Sequence, residues 1–254
     1  MDAARWGGVG ERLAGAPPEP WLVLLGAVAA VALVLPRASW RVTRAAVTLA
    51  HEGGHALVAL LAGRRLEGIR LHSDTSGLTV SRGRPTGLGM VLTSAAGYTA
   101  PPLLGLAGAG LLAAGHVTAL LWGATALLLG MLVVVRNAFG MLTVVLTAGA
   151  FLLVSWLADA TVRAGFASGV VWFLLLGGVR PVWELQARRR RRRRAGRRAR
   201  FRRHPAPYPA DDGADSDADQ LARLTGAPAG VWLLFFHTVA LCSLLGGGRW
   251  LLGG

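Results

Sequence analysis

The feature that most constrains the fold is a series of seven apolar stretches, most of them close to the length of a membrane-spanning helix. A helix needs about 20 mostly apolar residues to cross a bilayer. The stretches cover residues 20–36, 42–62, 88–114, 117–135, 138–158, 166–182 and 231–252. Charged residues make up only 16% of the chain, against roughly 25% in soluble proteins. We therefore expect an all-α polytopic membrane protein with about six or seven transmembrane helices, depending on whether the first stretch crosses fully.

Two segments do not fit a membrane helix. Residues 66–84 alternate apolar and polar side chains around Gly77, a pattern that predicts a short β-hairpin. Residues 187–230 are first basic, then rich in proline and finally acidic, which predicts that most of the segment is a flexible loop. Within it, residues 219–224 suit a short helix, with Ser216 or Asp217 as its N-cap. This divides the chain into a membrane core at residues 1–186, the loop, and a C-terminal transmembrane helix at residues 231–254.

The basic residues predict the orientation of the chain. All 27 are arginines, and twelve of them lie between Arg188 and Arg203. Because positive residues beside spans stay in the cytoplasm, we expect the Arg-rich loop to be cytoplasmic and the chain to lie in the plasma membrane. The tract also suits contact with anionic lipid of the bilayer. Nucleic-acid binding is not expected, because the tract contains a single aromatic residue, Phe201, and no repeated interleaving of aromatic and basic residues.

A motif in the second apolar stretch carries the chemistry. His51 and His55 are four residues apart, so on a helix they share one face and their imidazoles can bind one Zn²⁺ ion. Glu52 lies next to His51 and can act as general base towards a water molecule whose pKa the zinc ion lowers. The pattern predicts His51 and His55 as metal ligands and Glu52 as the catalytic base.

The surroundings of the motif favour function over packing. The alternative is a cluster of polar side chains that only hydrogen-bond one another. Residues 45–50 and 56–61, on either side, are almost entirely apolar. Ionisable residues inside a membrane are costly and mark functional sites, which favours the metal site.

The motif in its apolar helix resembles the site-2 protease class, peptidase family M50, and within it the M50B-like branch. Further blocks of similarity are Gly68-Ile69, Ser76-Gly77, residues 96–105, residues 136–140 and residues 216–225. The resemblance implies a zinc-dependent intramembrane protease that cuts membrane-embedded proteins.

The third zinc ligand does not follow from the motif. Typical site-2 proteases supply an Asp from a Leu-Asp-Gly sequence, which this chain lacks, and a catalytic zinc ion needs three protein ligands. The resembling block at residues 216–225 implies Asp217 as this ligand. Asp159 and Glu184 are the alternatives.

Two further functions stay open at this point. The chain can be a catalytically silent membrane scaffold of the same fold, or a transporter with polar residues along its path. The commonest transporter folds contain inverted repeats, and none is evident here. The sequence leaves the substrate and the oligomeric state open.

Overall fold

A computed structural model of the chain describes residues 16–200 and 216–253. The described part is mostly helical, with one two-stranded antiparallel sheet. Its elements are α1 (Pro20–Val34), α2 (Arg37–Leu61), β1 (Arg65–Leu71), β2 (Gly77–Arg82), α3 (Leu88–Ala113), α4 (Val117–Val134), α5 (Ala138–Leu157), α6 (Ala160–Arg200), α7 (Asp217–Thr225) and α8 (Ala229–Leu251).

Four of the described helices, α4, α5, α6 and α8, are long and apolar enough to cross a membrane. Helices α1 and α2 meet at an angle of 105° and pass the same test only as a pair, which gives up to five spans. The structure therefore does not confirm the six or seven spans expected from the sequence. Pro36 precedes α2 at the bend, and a proline disfavours a continuous helix there. Helix α3 is not among the candidate spans, since Gly, Thr and Pro residues dilute its apolar character.

The outer surfaces of the candidate spans are apolar. Side chains of α4 and α5 such as Val133, Leu146 and Leu153 are 70%, 65% and 59% exposed. A surface of this kind is costly in water and suits contact with lipid tails. The exposed apolar faces therefore agree with the class of protein expected from the composition, an integral membrane protein.

Helix α3 lies at the centre and packs against α2, α6 and α8. Small residues allow this packing. A Cβ atom built at Gly105 would lie 2.9 Å from the backbone nitrogen of Leu175, and one at Gly178 would lie 2.7 Å from Cδ of Pro102. The backbones of α3 and α6 thus approach at distances that a larger side chain would prevent.

The β-hairpin expected after the motif helix is present. Strands β1 and β2 pair antiparallel, with Leu71 opposite Gly77 and Arg65 opposite Arg82. The outer edge of β1 is also covered: the Asn137 side chain accepts from the Leu71 backbone nitrogen at 3.1 Å and donates to its carbonyl at 2.6 Å. Thr48 of α2 donates to the carbonyl of Thr75 at 2.9 Å and holds the hairpin turn on the motif helix.

Most of residues 187–230 was expected to be a flexible loop apart from a short helix at residues 219–224, but the structure describes a helix over residues 187–200 as well. Residues 187–200 continue α6, and α7 follows later in the same region; residues 201–215 lie outside the described residues. Arginine is a good helix former, which explains why α6 continues through the tract. Helix α7 is held by its apolar face, because Ala218 and Leu221 are fully buried against Val182 and Phe236. Residues 187–200 are therefore helical and not part of a loop.

Candidate metal centre

The motif residues lie in the middle of α2, where one helical turn brings the two histidines together. Nε2 of His51 and Nε2 of His55 are 3.2 Å apart. The rings meet edge to face, with centroids 4.7 Å apart and an interplanar angle of 85°. Both nitrogens therefore face the same point beside the helix, as the spacing predicts.

Asp217 reaches that point from the far end of the sequence. Its Oδ2 lies 3.3 Å from Nε2 of each histidine. Asp217 is the first residue of α7, whose N-cap is Ser216, and a side chain in the first turn projects beyond the body of a helix. Two contacts hold this turn: Asp219 accepts from Arg189 of α6 and from the Ser216 hydroxyl.

The separations and the donor types of the three atoms suit a metal ion. Zinc binds His nitrogen and carboxylate oxygen at about 2.0–2.2 Å in tetrahedral geometry, which places neighbouring ligand atoms roughly 3.3 Å apart. Oδ2 of Asp217 is buried and has no hydrogen-bond partner among the described residues. A buried oxygen is rarely left without a partner, and a metal ion would supply one. Across residues 16–200 and 216–253, these three side chains are the group able to hold a metal ion.

The electrostatics of Asp217 agree with a ligand role. Burial acts to raise the pKa of its carboxyl group, but the adjoining imidazoles of His55 and His51 hold that pKa below its ordinary value. Metal ligation requires the ionised carboxylate. The surroundings therefore favour the form of Asp217 that binds a metal.

Glu52 is buried beside the centre and is not one of the three converging donors. Its side chain is only 4% exposed, and Oε2 accepts a hydrogen bond of 2.6 Å from the Thr79 hydroxyl on β2. Gly77 of the same strand lies against the carboxylate: a Cβ atom there would lie 2.5 Å from Cγ of Glu52. The hairpin thus fixes the carboxylate next to the two histidines.

Helix α3 forms the opposite wall and contributes residues that the sequence did not single out for the site. Nδ1 of His55 is 2.7 Å from the Thr93 carbonyl, the kind of second contact that orients a metal-binding imidazole. A Cβ atom at Gly97 would lie 2.6 Å from Nε2 of His51. The Tyr98 ring meets His51 edge to face at 4.8 Å. The available signal was the position of Gly97 and Tyr98 within the family-like block at residues 96–105.

The two alternative third ligands have other partners. Glu184 accepts from Nε1 of Trp40 at 2.9 Å and from Nε of Arg180 at 3.1 Å, and this group ties α6 to the bend between α1 and α2. Asp159 precedes α6 and accepts from the backbone nitrogen of Val162 at 2.9 Å, as a helix cap. Neither belongs to the converging donors, so the structure brings together the histidines and Asp217.

Comparison with known proteins gave one family match. The family model described as Peptidase M50B-like matches residues 24–247, a range that contains every helix of the centre. Neither the curated proteins nor the solved structures gave a match.

Proposed function

Because the chain belongs to the Peptidase M50B-like family, we propose that it is a zinc-dependent intramembrane metalloprotease that hydrolyses peptide bonds of membrane-embedded proteins. Family membership supports a peptidase, and the apolar helices support a membrane setting. The metal identity, the activity and the substrate class are parts of the proposal.

One observation carries the proposal: Oδ2 of Asp217 lies 3.3 Å from Nε2 of both His51 and His55. His51, His55 and Asp217 would hold the ion through three protein donors, the number found in catalytic zinc sites, whereas structural sites use four. A zinc ion held there would supply a water molecule of lowered pKa and polarise a peptide carbonyl.

The chain's own residues supply the proton transfer. The Glu52 carboxylate takes a proton from the attacking water and later delivers one to the leaving amine. Thr79 holds one oxygen of this carboxylate, so the base enters the reaction with its orientation already set. Burial of Glu52 keeps bulk water from competing for the same hydrogen bonds.

The test separates chemistry from metal binding. Glu52→Gln keeps the size of the side chain and removes its basicity, so cleavage of a transmembrane substrate should fall roughly 10²–10⁴-fold while zinc content stays at the wild-type level. Glu184→Gln is the matched control, because Glu184 lies in a structural cluster with Trp40 and Arg180. A Glu52→Gln protein that cleaves at the wild-type rate would exclude this mechanism. A wild-type protein with zinc but no cleavage of any transmembrane substrate would support the scaffold instead.

We also propose that the Arg-rich tract faces the cytoplasm. The tract begins in the last turn of the candidate span Ala160–Arg191 and continues beyond it, and positive residues at the end of a span are retained in the cytoplasm. A reporter fused at Tyr208, outside the described residues, should therefore report a cytoplasmic location. Reporter activity on the opposite side of the membrane would reverse the orientation.

A further inference from the structure

A second concave site lies away from the metal centre, between the end of the apolar part of α6 and the first turns of α8. It is a cavity of about 430 Å³. Gln186, Arg189 and Arg190 line it from α6, and α8 contributes Gly230, Leu234 and His237 among others. None of the three converging metal-site donors and no carboxylate is among its lining residues.

The polar side of the cavity suits an anion. Two guanidinium groups and one amide line it, and no acid is among the lining residues. Arg189 uses one nitrogen for Asp219, but a guanidinium has five N–H donors in a fixed fork that matches phosphate. Arg190 is exposed, so its guanidinium is accessible to a ligand.

His237 adds an unpartnered polar atom to the same wall. Its Nδ1 is 2.8 Å from the Leu233 carbonyl, which sets the orientation of the ring. Its Nε2 is buried without a hydrogen-bond partner among the described residues. Such an atom is uncommon in a folded protein, and a polar ligand beside it would relieve the cost.

The position of the cavity indicates an amphiphile and not a free ion. The candidate span Ala160–Arg191 ends at the cavity, and the span Ala229–Leu251 begins there, so the cavity lies at the level where lipid headgroups are found. Its surroundings are apolar on one side: Trp183, Val231 and Leu234 are 55%, 53% and 67% exposed. Tryptophan is enriched at this boundary of the bilayer, and basic pockets between spans bind anionic headgroups.

We propose that this cavity binds the phosphate headgroup of an anionic phospholipid. Arg189 and Arg190 bind the phosphate, and the acyl chains run along the apolar surface beside Leu234. The proposal is independent of the protease activity. It also differs from a diffuse attraction of lipid to the whole Arg tract, because it requires the cavity itself.

The experiment uses the full-length, detergent-purified chain and native mass spectrometry. Phosphatidylglycerol should bind to about one high-affinity site, while phosphatidylcholine should not. Loss of one charged hydrogen-bond partner in Arg190→Gln should weaken phosphatidylglycerol binding roughly ten- to a hundredfold. Arg249→Gln is the matched control, since Arg249 is exposed at the opposite end of α8, and its affinity should stay within about twofold of wild type.

A second variant keeps every arginine and fills the cavity. A Cβ atom at Gly230 meets no other atom within 4 Å, so Gly230→Leu fits the helix and occupies the space of the headgroup. It should weaken phosphatidylglycerol binding about as much as Arg190→Gln. Wild-type affinity in Gly230→Leu, or equal binding of both lipids, would overturn the proposal. Displacement of the lipid by millimolar inorganic phosphate would also overturn it, because the site would then recognise free phosphate.

Discussion

The two halves of the metal centre are built in different ways. The first half, on α2, holds two donors four residues apart within a 25-residue helix, so the helix alone sets their separation. The second half is a single donor, Asp217, on α7, a helix of nine residues. Asp217 lies 162 positions after His55 in the chain (217 − 55). Only tertiary contacts place that donor beside the histidines.

The contrast between the halves has a physical consequence. A helix of nine residues is not stable on its own in water, so α7 depends on the burial of Leu221 and on the ion pair of Asp219 with Arg189. The separation of His51 and His55 is set by α2 itself and does not depend on α7. The position of Asp217, in contrast, depends on the contacts of α7 with neighbouring helices. Damage to the first half should therefore abolish metal binding, and damage around the second should weaken it by degrees.

The largest expected effect comes from the α2 half. His55→Ala removes a ligand and the hydrogen bond to the Thr93 carbonyl. Zinc in the purified protein should fall to background, and cleavage should fall with it. The loss should exceed roughly 10–100-fold, the effect of removing only a hydrogen-bond partner of a metal-binding side chain. His72→Ala is the control, because His72 is exposed in the hairpin turn. Full zinc content in His55→Ala would contradict the metal site.

The next effect tests the α7 half directly. Asp217→Asn keeps the volume of the side chain and removes its charge, so zinc affinity should fall by about 10²-fold or more. Asp159→Asn is the matched control, since Asp159 is exposed and caps α6. If Asp159→Asn or Glu184→Gln loses zinc while Asp217→Asn keeps it, the assignment of the third ligand is wrong.

Crowding the α3 wall should produce a smaller loss. A methyl group at Gly97 would lie 2.6 Å from Nε2 of His51 and must displace an imidazole. Zinc affinity of Gly97→Ala should fall roughly 10–100-fold. Gly123→Ala makes the same change in α4, where nothing lies within 4 Å of the new atom, and it should bind zinc like wild type. Equal zinc affinity of the two variants would show that α3 leaves room for a methyl group beside the His51 imidazole.

The smallest effect should come from the contacts that hold α7. Asp219→Ala removes the ion pair with Arg189 and the contact with Ser216 but leaves all three ligands. Zinc affinity should fall less than about tenfold, because the ion pair is partly exposed and the buried face of α7 remains. Asp74→Ala, which removes a carboxylate bound to Ser76 in the hairpin turn, is the control. A loss as large as that of Asp217→Asn would mean that α7 has no other means of docking.

The same contrast explains what the sequence could predict. His51, Glu52 and His55 follow from helical spacing in an apolar setting, and the hairpin follows from alternation of side chains. Asp217 was implied by a family resemblance alone, because residues as far apart as the two halves meet only after folding. Thr93, Gly97 and Tyr98 were not predicted as site residues for the same reason: each acts through a contact between helices.

The number of spans was the weakest prediction. Length and apolar character do not detect the 105° bend between α1 and α2, which depends on Pro36 and on donation from Arg180 to the Leu35 carbonyl. The short helix expected at residues 219–224 corresponds to α7, but composition did not predict its docking, which Leu221 and Ala218 provide against Phe236. Composition describes the average of such a segment and not the few side chains that dock it.

Zinc K-edge X-ray absorption of the purified wild-type chain shows whether His51, His55 and Asp217 hold one zinc ion. We expect about one zinc ion per chain, with two imidazoles among its ligands and only nitrogen or oxygen atoms at about 2.0–2.2 Å. Asp217→Asn should lose or alter the oxygen shell while the imidazole signal persists. A chain without bound zinc, a sulfur ligand at about 2.3 Å, or a site with a single imidazole would exclude this metal centre.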